Sequence, residues 1–198
     1  MKIVNVKPII TPYTNPGPNV IHHTSLYRFD LETNVDLLEH ELILHPTKLS
    51  GRTLYCSTKF QYCIEEFKQS MMHWGQHLLL NDELSKNFFG TWWWLNNDNF
   101  TDICKANAYV SKDTKGFSMG VHVDNASILA NFIVNLKDNI SSTTFVDYKD
   151  PGNIIYQSEN KKNTGVIFFG TGGNAHSINI EDDERYVLMG SILLYKNF

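Results

Sequence analysis

The sequence predicts a mainly β protein with flanking α structure (α+β): a jelly-roll core supported by one long N-terminal helix. Two observations carry this. From residue 106 onward the chain is a succession of short runs rich in Val, Ile, Phe and Thr, separated by Asp, Asn, Gly and Lys turns, with no helix-length pattern among them. Between Thr58 and Leu80, by contrast, apolar residues recur every three or four positions, the stripe of a helix laid on a core.

The chain opens with a short apolar run, Ile3 to Val6, followed by Pro8, Pro12, Pro16 and Pro18. Proline removes a ladder donor, so this reads as an edge strand leading into an irregular connection. A β-like stretch around Ser25 to Leu31 and a mixed segment through Leu44 follow, broken by Pro46 and Gly51. The helix comes next, its stripe made of Phe60, Ile64, Phe67, Met71, Trp74 and Leu78. His73 and His77 lie four apart on it, but the residues between them do not give the H-E-x-x-H arrangement of a zinc protease, and they read as packing or surface histidines. Trp92, Trp93 and Trp94 fall in a strand-like run, Phe88 to Leu95. Either that strand caps the core with aromatics or one indole lines a pocket as a stacking platform. The β core is then expected as Ala106–Ser111, Met119–Asp124, Ile128–Leu136, Thr143–Tyr148, Gly165–Phe169, His176–Ile180 and Arg185–Tyr195.

A chain of 198 residues fits one domain over 1–198, with strands and the supporting helix in 1–105 and the catalytic β core in 106–198. A formal charge of -4 argues against a generally basic nucleic-acid surface without excluding a local groove. No long apolar stretch and no signal-like N-terminus stand out, so the expectation is a cytoplasmic protein with no membrane segment. Cys56, Cys63 and Cys104 are odd in number and lack C-x-x-C spacing, which suits reduced thiols.

The chemistry gathers at Gly-Val-His-Val-Asp-Asn, which holds His122 and Asp124, and at the later His176 and Arg185. Alternate residues of a strand project to one side, so an H-x-D pair on or just after a strand can aim both side chains at one point. Two imidazoles and a carboxylate give Fe(II) three ligands on one face of an octahedron and leave three positions open. Singly, each residue has a plain structural reading: a surface or core histidine, an Asp-Asn turn, a loop histidine after Gly172, Gly173 and Asn174, or an arginine paired with Glu181, Asp182, Asp183 or Glu184.

In these residues the chain resembles the Fe(II)- and 2-oxoglutarate-dependent oxygenases, specifically the prolyl-hydroxylase-like branch, over roughly Ala106 to the C-terminus. His122, Asp124, His176 and Arg185 fall in the family's order, with nine residues from His176 to Arg185. Tyr109 followed by Gly116 and Phe117 is similar to the family's approach to its H-x-D, with a longer loop. The resemblance implies a double-stranded β-helix core, iron held by His122, Asp124 and His176, and 2-oxoglutarate anchored by Arg185. The anchoring has independent chemical sense, because a guanidinium grips a carboxylate bidentately.

Tyr109 is a candidate second contact, and Asn131 and Asn135, on one face of a strand, are further candidates whose alternative reading is a satisfied amide. Val187 departs from relatives with a serine at that position, and Thr143 and Thr144 read as strand formers. The implied reaction is hydroxylation of a C–H bond of a peptide or amino-acid-type substrate with dioxygen, releasing succinate and CO2. A non-catalytic jelly-roll protein, or a cupin-like metalloenzyme that does not use 2-oxoglutarate, remain the alternatives. The loop 112–119 and the insertion 150–163, rich in charged and polar residues, are candidate lids, a role the sequence leaves open.

Overall fold

The computed structural model describes residues 1–9, 26–39, 42–45, 50–56, 61–81, 95–125, 127–147, 150–169, 174–181 and 184–195. Four strands come first: β1 (Lys2–Pro8), β2 (Leu26–Glu32), β3 (Ile43–His45) and β4 (Arg52–Cys56), with a 3-10 turn at Leu37–Glu39. Helix α1 (Gln61–Asn81) follows, and after it the short α2 (Phe100–Ile103). The remaining strands are β5 (Cys104–Asp113), β6 (Ser118–His122), β7 (Ile128–Asn135), β8 (Thr144–Val146), β9 (Ile154–Gln157), β10 (Thr164–Phe169), β11 (His176–Asn179) and β12 (Arg185–Leu194). The protein is mainly β with few helices, and its long helix sits after the first four strands rather than at the N-terminus. The two earliest strands and the Val/Ile/Phe-rich runs lie where the sequence predicts them. The sequence reading missed β3, β4 and β9, which are three to five residues long. The expected tryptophan strand falls largely outside the described residues.

Two antiparallel sheets result, one of eight strands in the order β1-β2-β10-β7-β12-β5-β4-β3 and one of four, β6-β11-β8-β9. The last eight strands pair as nested hairpins: β5 with β12, β6 with β11, β7 with β10, and β8 with β9. That nesting of first with last and inner with inner is a jelly roll.

The large sheet is covered on both faces. One face packs under α1, where Phe67, Met71 and Leu78 join Val110, Phe132, Val134, Leu188 and Ile192 in the main apolar cluster. The other looks toward the small sheet, and Leu26, Ile133, Val166, Phe168 and Val187 meet Phe145 there. Double burial explains why β7 reads Ile-Leu-Ala-Asn-Phe-Ile-Val-Asn with almost no alternation. Close approach of helix and sheet depends on missing side chains. A Cβ on Gly75 would meet Ile192 Cδ1 at 2.1 Å, and one on Gly190 would meet Met71 Sδ at 2.4 Å.

Both candidate lids are held by backbone hydrogen bonds. In 112–119 Thr114 N–H donates to Gly51 O, Phe117 N–H to Thr114 O and Gly116 N–H to Ile180 O, and Phe117 is buried. Segment 150–163 contains β9 and is pinned by Ser158 N–H to Thr143 O and Asn163 N–H to Asn135 O. Cys63 and Cys104 are free and buried, and burial pushes the Cys104 thiol up to about 12. Among the described residues no helix is long and apolar enough to cross a membrane.

Candidate metal centre

Register brings the two histidines together. In the β6–β11 ladder His122 and His176 are direct cross-strand partners, and their rings lie 4.3 Å apart between centroids. Asp124 stands two residues past His122, just beyond the end of β6. Its Oδ1 is 3.9 Å from His122 Nε2, and its Oδ2 is 3.8 Å from His176 Nε2. One donor atom from each of the three residues lies within 4.8 Å of the other two.

The second atoms of these groups are already engaged. His122 Nδ1 is 2.8 Å from Gly120 O and His176 Nδ1 is 2.9 Å from Asn174 O. A carbonyl can only accept, so each Nδ1 carries the proton and each Nε2 is left with its lone pair, the form a metal binds. Asn131 Nδ2 donates to Asp124 Oδ2 at 2.7 Å, and Ser191 Oγ donates to Asn131 Oδ1 at 2.6 Å. Asn131, one of the expected co-substrate contacts, thus has its amide committed to holding Asp124. Asn135 likewise serves the scaffold, donating to Glu159 O and accepting from Asn139 Nδ2. His176 is wedged against Phe168 and Phe145, with ring centroids at 4.7 and 5.8 Å. Burial there moves its pKa below the ordinary histidine value, which favours the neutral ring.

A cavity of about 70 Å³ opens beside the triad, walled by Arg52, Met119, Asn131, Ile133, Thr143, Phe168, Ile178, Met189 and Gly190 together with the three donors. Arg185 lies behind this wall and is buried. Its Nη2 donates to Thr143 Oγ1 at 2.7 Å, its Nη1 is 3.8 Å from Asp113 Oδ2, and its buried Nε has no hydrogen-bond partner among the described residues. Burial pushes the Arg185 guanidinium down to about 10, Asp113 opposing this and Arg52 adding to it; the group stays charged at neutral pH.

Asp113 also holds Arg52, from the paired strand β4, in a two-point contact at 2.5 and 2.8 Å. One buried carboxylate therefore faces two guanidiniums. Tyr109 sits four residues before Asp113, on the same face of β5. Burial raises its pKa above the ordinary phenol value; Arg52 opposes that shift, and Asp113 and Asp124 add to it. The hydroxyl thus lies within the field of Asp124 of the triad and of the Arg52–Asp113 pair. Among the described hydrogen bonds none joins Tyr109 to Arg185.

Sequence reasoning missed three members of this site. Thr143, expected as a strand former, supplies the hydroxyl against Arg185 that Val187 cannot. Arg52 and Asp113 are cross-strand partners in β4–β5, 61 positions apart, so no local pattern joins them. His73 and His77 flank the Trp74 ring, at 5.8 and 5.7 Å between centroids.

No known family description matches this chain, and no curated protein matches it. Among solved structures the chain is similar to a Pseudomonas putida prolyl-4-hydroxylase, 13% identical with TM-score 0.49 over 77% of this chain and 78% of that one. It is also similar to the viral collagen prolyl hydroxylase of Paramecium Bursaria Chlorella virus-1 in its 2OG complex, 12% identical with TM-score 0.49 over 73% and 79%. A third similar structure is an oxidoreductase of the 2OG-Fe(II) oxygenase family from Burkholderia pseudomallei, 14% identical with TM-score 0.40 over 85% and 68%.

Proposed function

We propose that this chain is an Fe(II)- and 2-oxoglutarate-dependent dioxygenase that hydroxylates a C–H bond of a peptide or amino-acid-type substrate. The observation that carries the proposal is the convergence of His122 Nε2, Asp124 and His176 Nε2 on one point beside a cavity, with both Nδ1 atoms tied to backbone carbonyls. Two neutral imidazoles and one carboxylate suit a divalent iron and leave positions open. The unpartnered Nε of Arg185 suits a carboxylate. A structural zinc site would be closed by a fourth protein ligand, and the described residues offer only three.

In this reading His122, Asp124 and His176 hold iron, and Asn131 fixes the orientation of the aspartate. Arg185 and Thr143 take the distal carboxylate of 2-oxoglutarate, with Tyr109 on the same side. Once bound, iron and 2-oxoglutarate would use dioxygen to supply the oxidising equivalent, with succinate and CO2 released. Ile133, Phe168, Ile178 and Met189 give the cavity an apolar wall that keeps water from the reacting carbon. We propose 1–198 as one catalytic unit, since α1 packs on strands from both ends of the β core. The peptide-type substrate rests on the sequence resemblance around His122 and Asp124.

Anaerobic titration with Fe(II) and 2-oxoglutarate tests the reading. A weak visible charge-transfer band is expected only when both are present, and succinate release is expected to vanish in His176→Ala and to fall steeply in Arg185→Ala. A folded protein that gives no band would return the chain to a non-catalytic jelly roll. A metal-dependent activity indifferent to 2-oxoglutarate would return it to a cupin-like enzyme.

A further inference from the structure

Arg52 is engaged along one edge only. Its Nε and Nη2 donate to the two oxygens of Asp113, and Phe117 lies against its flat face with the ring centroid 4.3 Å from Cζ. Among the described residues its third nitrogen, Nη1, meets only Met119 Sδ, at 3.4 Å, and a thioether is a weak acceptor. Arg52 and Met119 both wall the cavity beside the triad, and Nη1 is the nitrogen that lies against Met119 and away from Asp113. The charges point the same way. Asp113 is fully buried and shared by two arginines, both less than a tenth exposed. Among the described residues Asp113 is the one carboxylate in ion-pair reach of either guanidinium, so this row carries one net positive charge, and a buried charge left over is costly until an anion arrives.

We propose that Arg52 is a second anchor for the distal carboxylate of the dicarboxylate co-substrate, shared with Arg185, and that Asp113 is the positioning residue that fixes Arg52 by its opposite edge. This rests on the 2-oxoglutarate reading above. Of the two guanidiniums, Arg52 itself walls the cavity, while Arg185 is joined to that wall through Thr143. Register explains the rigidity of the arrangement: Arg52 and Asp113 face each other across the β4–β5 ladder, and Arg185 faces Asp113 from the other side across β5–β12. The three charges occupy one row across three strands.

The test compares two ligands on the full chain loaded with Mn(II), which occupies such sites without oxygen chemistry. 2-Oxoglutarate carries the distal carboxylate; 2-oxobutyrate has the same keto-acid end without it. In Arg52→Met, calorimetry should show 2-oxoglutarate bound about 10- to 100-fold more weakly, with 2-oxobutyrate and Mn(II) affinities within about twofold of the parent protein. Arg52→Lys, which keeps charge but loses the fork, should lose part of the 2-oxoglutarate preference, and it decides the matter if the Met variant does not fold. Asp113→Asn should shift the same ratio in the same direction. Equal weakening of both ligands, or an unchanged ratio in a folded Arg52 variant, would make Arg52 a scaffold residue and overturn the proposal while leaving the 2-oxoglutarate reading intact. A parent protein with no preference for 2-oxoglutarate over 2-oxobutyrate would overturn both.

Discussion

The eight-stranded sheet is buried on both faces, by α1 on one side and the small sheet on the other, and its two longest strands run ten residues. The four-stranded sheet has strands of three to five residues, and its outward positions, among them Val121, Ile154 and Asn179, are exposed. Yet the small sheet carries both histidines, while the large one contributes Arg185, Asp113, Asn131 and Arg52. The lesson is a division of labour. The large sheet supplies rigid walls and buried charge, and the small sheet supplies donors from short strands whose aim is set by single hydrogen bonds to Gly120 and Asn174. Sites are commonly supported this way, with reactive groups at the margins of a stiff frame.

Three substitutions sharpen or break that contrast. The largest effect is expected in the large sheet: Phe132→Ala empties a fully buried position under α1 and should cost about 3–5 kcal/mol in denaturant unfolding, with metal affinity of the folded fraction little changed. A cost below about 1 kcal/mol would show that this sheet is not the frame. Next comes Asn131→Ala, which touches the donors from the frame side. It should weaken metal binding about 10- to 100-fold by releasing Asp124, read by titration, with a smaller change in unfolding. The smallest effect is expected on the small sheet at Gly120→Ala. A Cβ there meets nothing within 4 Å, so unfolding should shift by less than about 1 kcal/mol, on the stabilising side. A large loss at Gly120 would mean that the small sheet is as tightly specified as the large one.

Much of this was legible in the residues, and the reason differs by element. Helix α1 declared itself because burial on one side imposes a 3.6-residue period, visible in Phe67, Met71 and Leu78. His122 and Asp124 were legible because a two-residue step is local. His176 and Arg185 followed from their order along the chain. What stayed hidden depends on register across long separations. Arg52 meets Asp113 only because β4 pairs with β5, and Thr143 meets Arg185 only because the two sheets close on each other. Strand β9 escaped because it lies inside the polar insertion 150–163, and β3 and β4 because Pro46 and Gly51 mark their segment as broken. The candidate lids show the limit of composition. Polar composition marks a connection, but whether that connection is tied down depends on backbone partners such as Gly51 and Ile180, which composition does not reveal.

Gly190 has one further consequence. It borders the cavity beside His122, Asp124 and His176, while the space where its side chain would stand is filled by Met71 of the helix. At that point a single layer of polypeptide separates the outer core from that cavity. Selection for helix packing and selection for chamber size therefore act on the same few atoms, and any attempt to breed a roomier pocket would have to start on the far side of the wall, at Met71.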